Sequence, residues 1–107
     1  MSWGRLSLNL NSREVLVNNR PMALTGREFE LLLRLLEAGG RVVTREALIT
    51  GIWGNEQYNV GVLEANVHRL RRKLAAMLPN HELLDTIRGV GYRLAKDAKP
   101  EARESAG

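Results

Sequence analysis

Between residues 62 and 78, Leu63, Val67, Leu70, Leu74 and Met77 follow one another at spacings of four, three, four and three. This is the period of one face of an α-helix, and no strand can line these five side chains along one edge. Pro79 and Asn80 close the stretch, because proline cannot continue a helix. A helix with a single apolar stripe is stable only when a core covers it, so the rest of the chain must supply that core. With 107 residues the chain is long enough for one domain around one modest core.

The N-terminal quarter has a different period. Leu6, Leu8 and Leu10 alternate in "WGRLSLNL", "NS" turns, and Val15 and Val17 alternate in "REVLVNN". A second turn at "NNRP" leads into "MAL" at 22–24. The pattern predicts a small antiparallel sheet of three strands joined by tight hairpins, with Trp3 capping it.

From Thr25 the period becomes helical. Thr25 and Glu28 have the spacing of a capping box, with Leu24 and Phe29 placed for a hydrophobic staple. Phe29, Leu32, Leu33 and Leu36 are expected inward, with Glu28, Glu30, Arg34 and Glu37 on a solvated face of mixed charge. Gly39 and Gly40 end this first helix, and "RVV" at 41–43 can add a brief strand. Thr44 caps a short second helix, "REALITGIW", with Leu48, Ile49 and Ile52 inward and Gly54 as its stop. After the third helix, "LLDTIRGVGYRLA" predicts a hairpin whose turn lies in "RGVG". A domain over 1–95 followed by a frayed tail, 96–107, is the expected organisation.

Charge is unevenly placed. The net charge is +4, yet residues 1–55 hold seven Arg against five Glu, and the tail is balanced. The excess lies in "HRLRRKL", where Arg69, Arg71, Arg72 and Lys73 occur with no acid between His68 and Leu74. On a wheel of about 100° per residue, Ala65, Arg69 and Arg72 fall opposite the stripe, Asn66 and Lys73 on one shoulder, and His68 on the other. Such a face is usually no more than a solvated surface, but solvated surfaces mix signs and this one does not. A helix of this width fits the major groove of a DNA duplex, where an arginine can reach guanine with two hydrogen bonds. The order of elements, two helices and a basic third followed by a glycine-rich hairpin, is a helix-turn-helix with a wing. Arg88 at the hairpin tip is placed to enter a minor groove.

Other chemistries find no support. The chain has no cysteine, and His68 and His81 stand apart without the company a metal site needs. No nucleophile stands with a base and an orienting group, no phosphate loop follows a strand, and no cofactor, metal or enzymatic activity is expected. No apolar run approaches a membrane span, and an intracellular, cytoplasmic protein is the reading that follows. The alternative from another class is a protein-interaction module whose basic face meets an acidic partner.

"LTGREFELLLRLL", "GRVVTREALITGIWG", "LEANVHRLRRKL" and "TIRGVGYRL", in this order, resemble the C-terminal winged-helix effector domain of OmpR/PhoB-type response regulators. The resemblance covers residues 3–95. It implies an α+β fold: an N-terminal antiparallel sheet, three helices and a C-terminal β-hairpin wing. It also implies sequence-specific binding of double-stranded DNA and transcription regulation within a two-component phosphorelay, commonly by two copies on tandem direct repeats.

By position, Arg69 matches the principal base-contacting residue of the family, and Ala65 and Asn66 match positions at the groove or its phosphates. Arg88 matches the wing arginine, while Trp53, Thr86 and Tyr92 match backbone-contacting positions. Arg72, Lys73 and His68 complete the expected surface. The loop 54–59 resembles the segment through which some members touch RNA polymerase, and a receiver domain is expected to precede this part of the full-length protein. Four positions depart from the family pattern. Gly26 stands where proline is usual, Gly61 where some members have arginine, Ala65 where a long apolar residue is common, and Asn66 where histidine is common.

Overall fold

The computed structural model describes residues 1–54 and 60–95. The N-terminal part is a four-stranded antiparallel sheet, β1 (Ser2–Trp3), β2 (Leu6–Asn9), β3 (Glu14–Val17) and β4 (Arg20–Pro21), in sequential order. Leu6, Leu8, Val15 and Val17 are the buried positions of β2 and β3, as their alternation requires. Asn18 and Asn19 both have positive φ, which makes the β3–β4 connection a two-residue turn of the kind asparagine tolerates. The Asn9 side chain accepts the N–H groups of Asn11 and Ser12 and so shapes the β2–β3 loop.

The strand boundaries correct the expectation in three places. There are four strands rather than three, because Trp3 pairs with Leu6 in a strand of its own. The last strand is Arg20–Pro21, not 22–24; Met22 just past it still donates its N–H to the Val15 carbonyl at 2.9 Å and buries its side chain. Leu10, the third member of the alternation, is 53% exposed, since β2 ends at Asn9 and the chain turns before reaching the core.

Three helices follow in the described residues: α1 (Gly26–Glu37), α2 (Arg45–Trp53) and α3 (Val60–Met77). The α1 capping box is formed in both directions between Thr25 and Glu28. Leu31, Leu32 and Leu35 have no exposed surface, and Phe29 and Leu36 are buried with them. The buried arc of α1 is therefore wider than Phe29, Leu32, Leu33 and Leu36 alone, and Leu33 is only half-buried. The cause is position: α1 packs against α2, α3 and β7 (Gly91–Leu94), so few of its sides are left to solvent.

The Thr44 side chain caps α2 through the Ala47 N–H, and Leu48, Ile49 and Ile52 are buried. Arg27 and Arg34, both from α1, donate to the carbonyls of Ile52 and Gly51 at 2.5 and 2.7 Å. Helix α2 has no basic residue in its own last turn, so its neighbour supplies the cations that its C-terminal carbonyls attract.

The C-terminal hairpin joins β6 (Leu84–Ile87) to β7, and a short β5 (Val43–Thr44) adds to it in the order β5-β7-β6. At Gly91 a Cβ would stand 2.0 Å from the Val43 carbonyl oxygen, so only glycine lets β5 approach this closely. The two sheets are tied by Trp3, whose indole N–H donates to the Ala95 carbonyl at 2.7 Å. One core, running from Leu6 through α1, α2 and the α3 stripe to Leu94, joins all of these elements.

Candidate nucleic-acid interface

The stripe of α3 is buried as its spacing demands: Leu63, Val67, Leu70 and Leu74 are each at most 4% exposed, with Met77 partly buried. This fixes the roll of the helix, and the roll decides what each cation does. The four cations of "HRLRRKL" have three different fates.

Arg71 turns toward the hairpin. Its Nη2 donates to the Leu84 carbonyl at 3.0 Å and to the Thr86 hydroxyl at 2.7 Å. It joins α3 to β6, so the basic helix and the wing form one surface. Thr86, expected at a backbone-contacting position, thus serves as an acceptor on the exposed edge of that joint.

Arg69 and Lys73 turn toward α1. Lys73 Nζ lies 2.5 Å from Glu28 Oε1, and Arg69 Nε lies 3.3 Å from Glu28 Oε2. Glu28 is only 1% exposed, which corrects its expected place on the solvated face of α1. Burial alone would raise its carboxyl pKa. Hydrogen bonds from Lys73 and from the Thr25 N–H, with the charges of Lys73 and Arg69, outweigh that effect and hold it below the ordinary glutamate value. Arg69 keeps 53% of its side chain exposed.

Arg72 has no such partner. It is exposed on the side of α3 away from the core and, among the described residues, makes no hydrogen bond or ion pair. Ala65 and His68 lie exposed on the same outward side. Arg88 is similarly exposed at the hairpin tip, at the second position of a turn closed by the Val90 N–H to the Ile87 carbonyl at 2.9 Å. Gly89 follows with φ +74°, the conformation this turn needs at its third position.

Three expected contact residues are placed inward. Asn66 is 3% exposed rather than on an open shoulder; its amide donates to the Val62 carbonyl at 3.0 Å, one helical turn back. The roll of α3 accounts for this, since Asn66 adjoins the buried stripe of Leu63, Val67 and Leu70. Tyr92 is 3% exposed, with the Arg45 guanidinium 5.5 Å from its ring centre. Trp53 is half-buried at the end of α2, with Arg27 5.4 Å over its ring. Residues 55–59 of the loop before α3 lie outside the described residues, as does the tail from residue 96.

Sequence reading missed two partners, Glu28 and Arg45. Glu28 was detectable: on an α1 wheel at about 100° per residue it falls between Leu35 and Leu32, inside the apolar arc. Arg45 gave no such signal, because its partner Tyr92 is brought near only by the β5–β7 pairing. Among the described residues no cluster of side chains suits a metal ion, and no helix is long and apolar enough to cross a membrane.

Comparison with known proteins agrees with this architecture. The family described as "Transcriptional regulatory protein, C terminal" matches residues 19–94. The chain is 41% identical over 91 residues to regulatory protein VanRB of Enterococcus faecalis, covering 85% of this chain and 40% of that protein. It therefore spans about two fifths of the length of such relatives. Among solved structures it is similar to the DNA-binding domain of Klebsiella pneumoniae RstA in complex with the RstA box. The TM-score is 0.76 at 27% identity, over 89% of this chain and 95% of that one. It is also similar to DrrB, a Thermotoga maritima OmpR/PhoB homologue, with TM-score 0.77 and 29% identity over 89% of this chain and 43% of that one.

Proposed function

The chain belongs to the transcriptional regulatory proteins of OmpR/PhoB type, as their C-terminal winged-helix DNA-binding domain rather than an enzyme, and from that premise we propose how it meets its duplex. Helix α3 enters the major groove and the wing, residues 84–95, follows the adjacent minor groove. The observation that carries this reading is the Arg71 bridge, which ties the helix of Arg72 to the hairpin of Arg88, two exposed cations whose side chains have no partner among the described residues.

Within that surface, Arg69 and Arg72 read base edges, with Ala65 allowing close approach of the helix. Arg88 inserts into the minor groove, where a narrow groove concentrates negative potential. His68, Thr86 and the exposed part of Trp53 stand nearer the sugar-phosphate backbone, whereas Lys73 already shares its charge with Glu28 and Tyr92 is buried. Asn66 reaches the duplex only by leaving Val62.

The wider reading rests on the family. Residues 1–95 act as one domain, with 96–107 a tail, in the cytoplasm. Two copies occupy tandem direct repeats, a receiver domain of the same full-length protein controls them through a phosphorelay, and loop 54–59 touches RNA polymerase.

Selection from a random duplex pool tests the central claim. One enriched half-site, bound with an affinity that falls steeply with salt as counterions are released, is expected. Failure to enrich any sequence, or binding that ignores salt, would remove it.

A further inference from the structure

Glu28 belongs to α1, away from the helix that carries the reading residues, yet it makes the closest polar contacts those residues have. Its Oε1 accepts from the Thr25 N–H at 3.0 Å and from Lys73 Nζ at 2.5 Å, and its Oε2 faces Arg69 Nε at 3.3 Å. The carboxylate is almost wholly removed from water, whereas Arg69 and Lys73 remain 53% and 36% exposed. The buried anion hydrogen-bonds Lys73 and holds Arg69 as an ion pair, with no hydrogen bond to its Nε–H, and both cations stay partly exposed.

The consequences for the two cations differ. Guanidinium is planar, so a fixed carboxylate charge beside Nε restrains the direction in which the two terminal amino groups project. Ammonium has no such plane, and Lys73 mainly loses net charge to its partner. An arginine held in one plane can meet both acceptors of a guanine, while a swinging one finds any nearby phosphate. An un-neutralised lysine on the same flank would add attraction that is blind to sequence.

We propose that Glu28 is a positioning residue for base recognition: its ion pair restrains Arg69, and its hydrogen bond withholds the charge of Lys73 from the phosphate backbone, favouring specific over non-specific binding. This role rests on the DNA-binding reading given above. It assigns a function in discrimination to a buried side chain that no duplex touches.

The conservative variant is Glu28→Gln. Its amide oxygen can still accept from the Thr25 N–H and keep the cap, while the negative charge that pairs with Arg69 and Lys73 is gone. Binding of the full chain is measured to its selected duplex, to the same duplex with the Arg69-contacted base pair exchanged, and to unrelated duplex, across a salt series. In E28Q, discrimination is expected to fall roughly tenfold, and the salt slope on unrelated duplex to steepen by about one unit. Lost folding would lower specific and non-specific binding together and leave their ratio unchanged. Ratio and slope both equal to wild type would overturn the role.

Lys73→Met gives an independent arm should E28Q fail to fold. Its salt slope is expected to move by much less than one unit. A slope shallower by about one unit would place Lys73 on a phosphate and overturn the role.

A measurement without DNA separates this inference from the reading beneath it. In the free wild-type protein the Arg69 Nε–H vector, followed by nitrogen-15 NMR relaxation, is expected to move less than that of Arg72. Equal mobility would show that Glu28 restrains nothing. A restrained Arg69 in a protein that enriches no duplex would instead show that the ion pair exists and the DNA-binding reading has failed, taking the role in discrimination with it.

Discussion

At Glu28 a full negative charge is stabilised in a position that water barely reaches. An unpaired carboxylate there would take up a proton instead, because desolvation costs more than a proton does. Its two cationic neighbours reverse the balance and depress its pKa. A group whose pKa is depressed by folding contributes stability that is present above its unfolded value, about 4.3, and is lost as pH falls through the folded one. Acid titration followed by circular dichroism should therefore show wild type losing stability below about pH 4.3, with E28Q losing less over the same window. Parallel acid curves for the two proteins would contradict the pairing. Arg88 presents the opposite case, a charge with no partner to lose among the described residues. Arg88→Ala should leave thermal unfolding nearly unchanged while weakening duplex binding by about 1–3 kcal/mol in a gel-shift titration.

Among the elements, α1 shows where helix-end chemistry is incomplete. Gly26 occupies its first position, where the preset φ of proline would help, and nothing stands within 4 Å of the place a Cβ would take. Thr25 before it is already extended, at φ −70° and ψ 167°, as a residue preceding proline must be. Gly26→Pro should accordingly raise stability by about 0.4–1 kcal/mol in urea unfolding, chiefly by restricting the unfolded chain. A destabilised variant would show that the first turn of α1 needs a different backbone. At α2 the situation is reversed, because the end is served from another helix. Replacing Arg34 by Met should cost on the order of 1 kcal/mol through the lost charge-assisted hydrogen bond to the Gly51 carbonyl, read by the same unfolding curves.

These two helices also mark what a sequence can and cannot disclose. Caps at Thr25 and Thr44 were legible because they depend on residues three apart. The bonds from Arg27 and Arg34 to α2 were not, because they join positions 25 and 17 residues apart that only tertiary packing brings together. The same limit applies to "HRLRRKL". Its stripe gave the roll of α3 to within one residue at Asn66, and that one residue moved from shoulder to interior. A count of four cations said nothing of how Glu28 and the hairpin would divide them.

Across the whole molecule, two small sheets at opposite ends of the sequence frame three helices, and the order was readable from the switch of period from two to 3.6 and back. What the pattern lacked was the length of the short pieces. β1, β4 and β5 have two residues each, too few for alternation to register, and they exist because neighbouring strands offer them partners. The hydrogen bond from the Trp3 indole to Ala95 spans 92 positions and closes nearly the entire described chain into one loop. Contacts of that reach bind distant segments into a common opening event, since neither sheet can leave without breaking it. In native-state hydrogen exchange, amides of β2 and β7 should then share one free energy of opening. Trp3→Phe should split them, letting the N-terminal strands exchange through a cheaper, separate fluctuation.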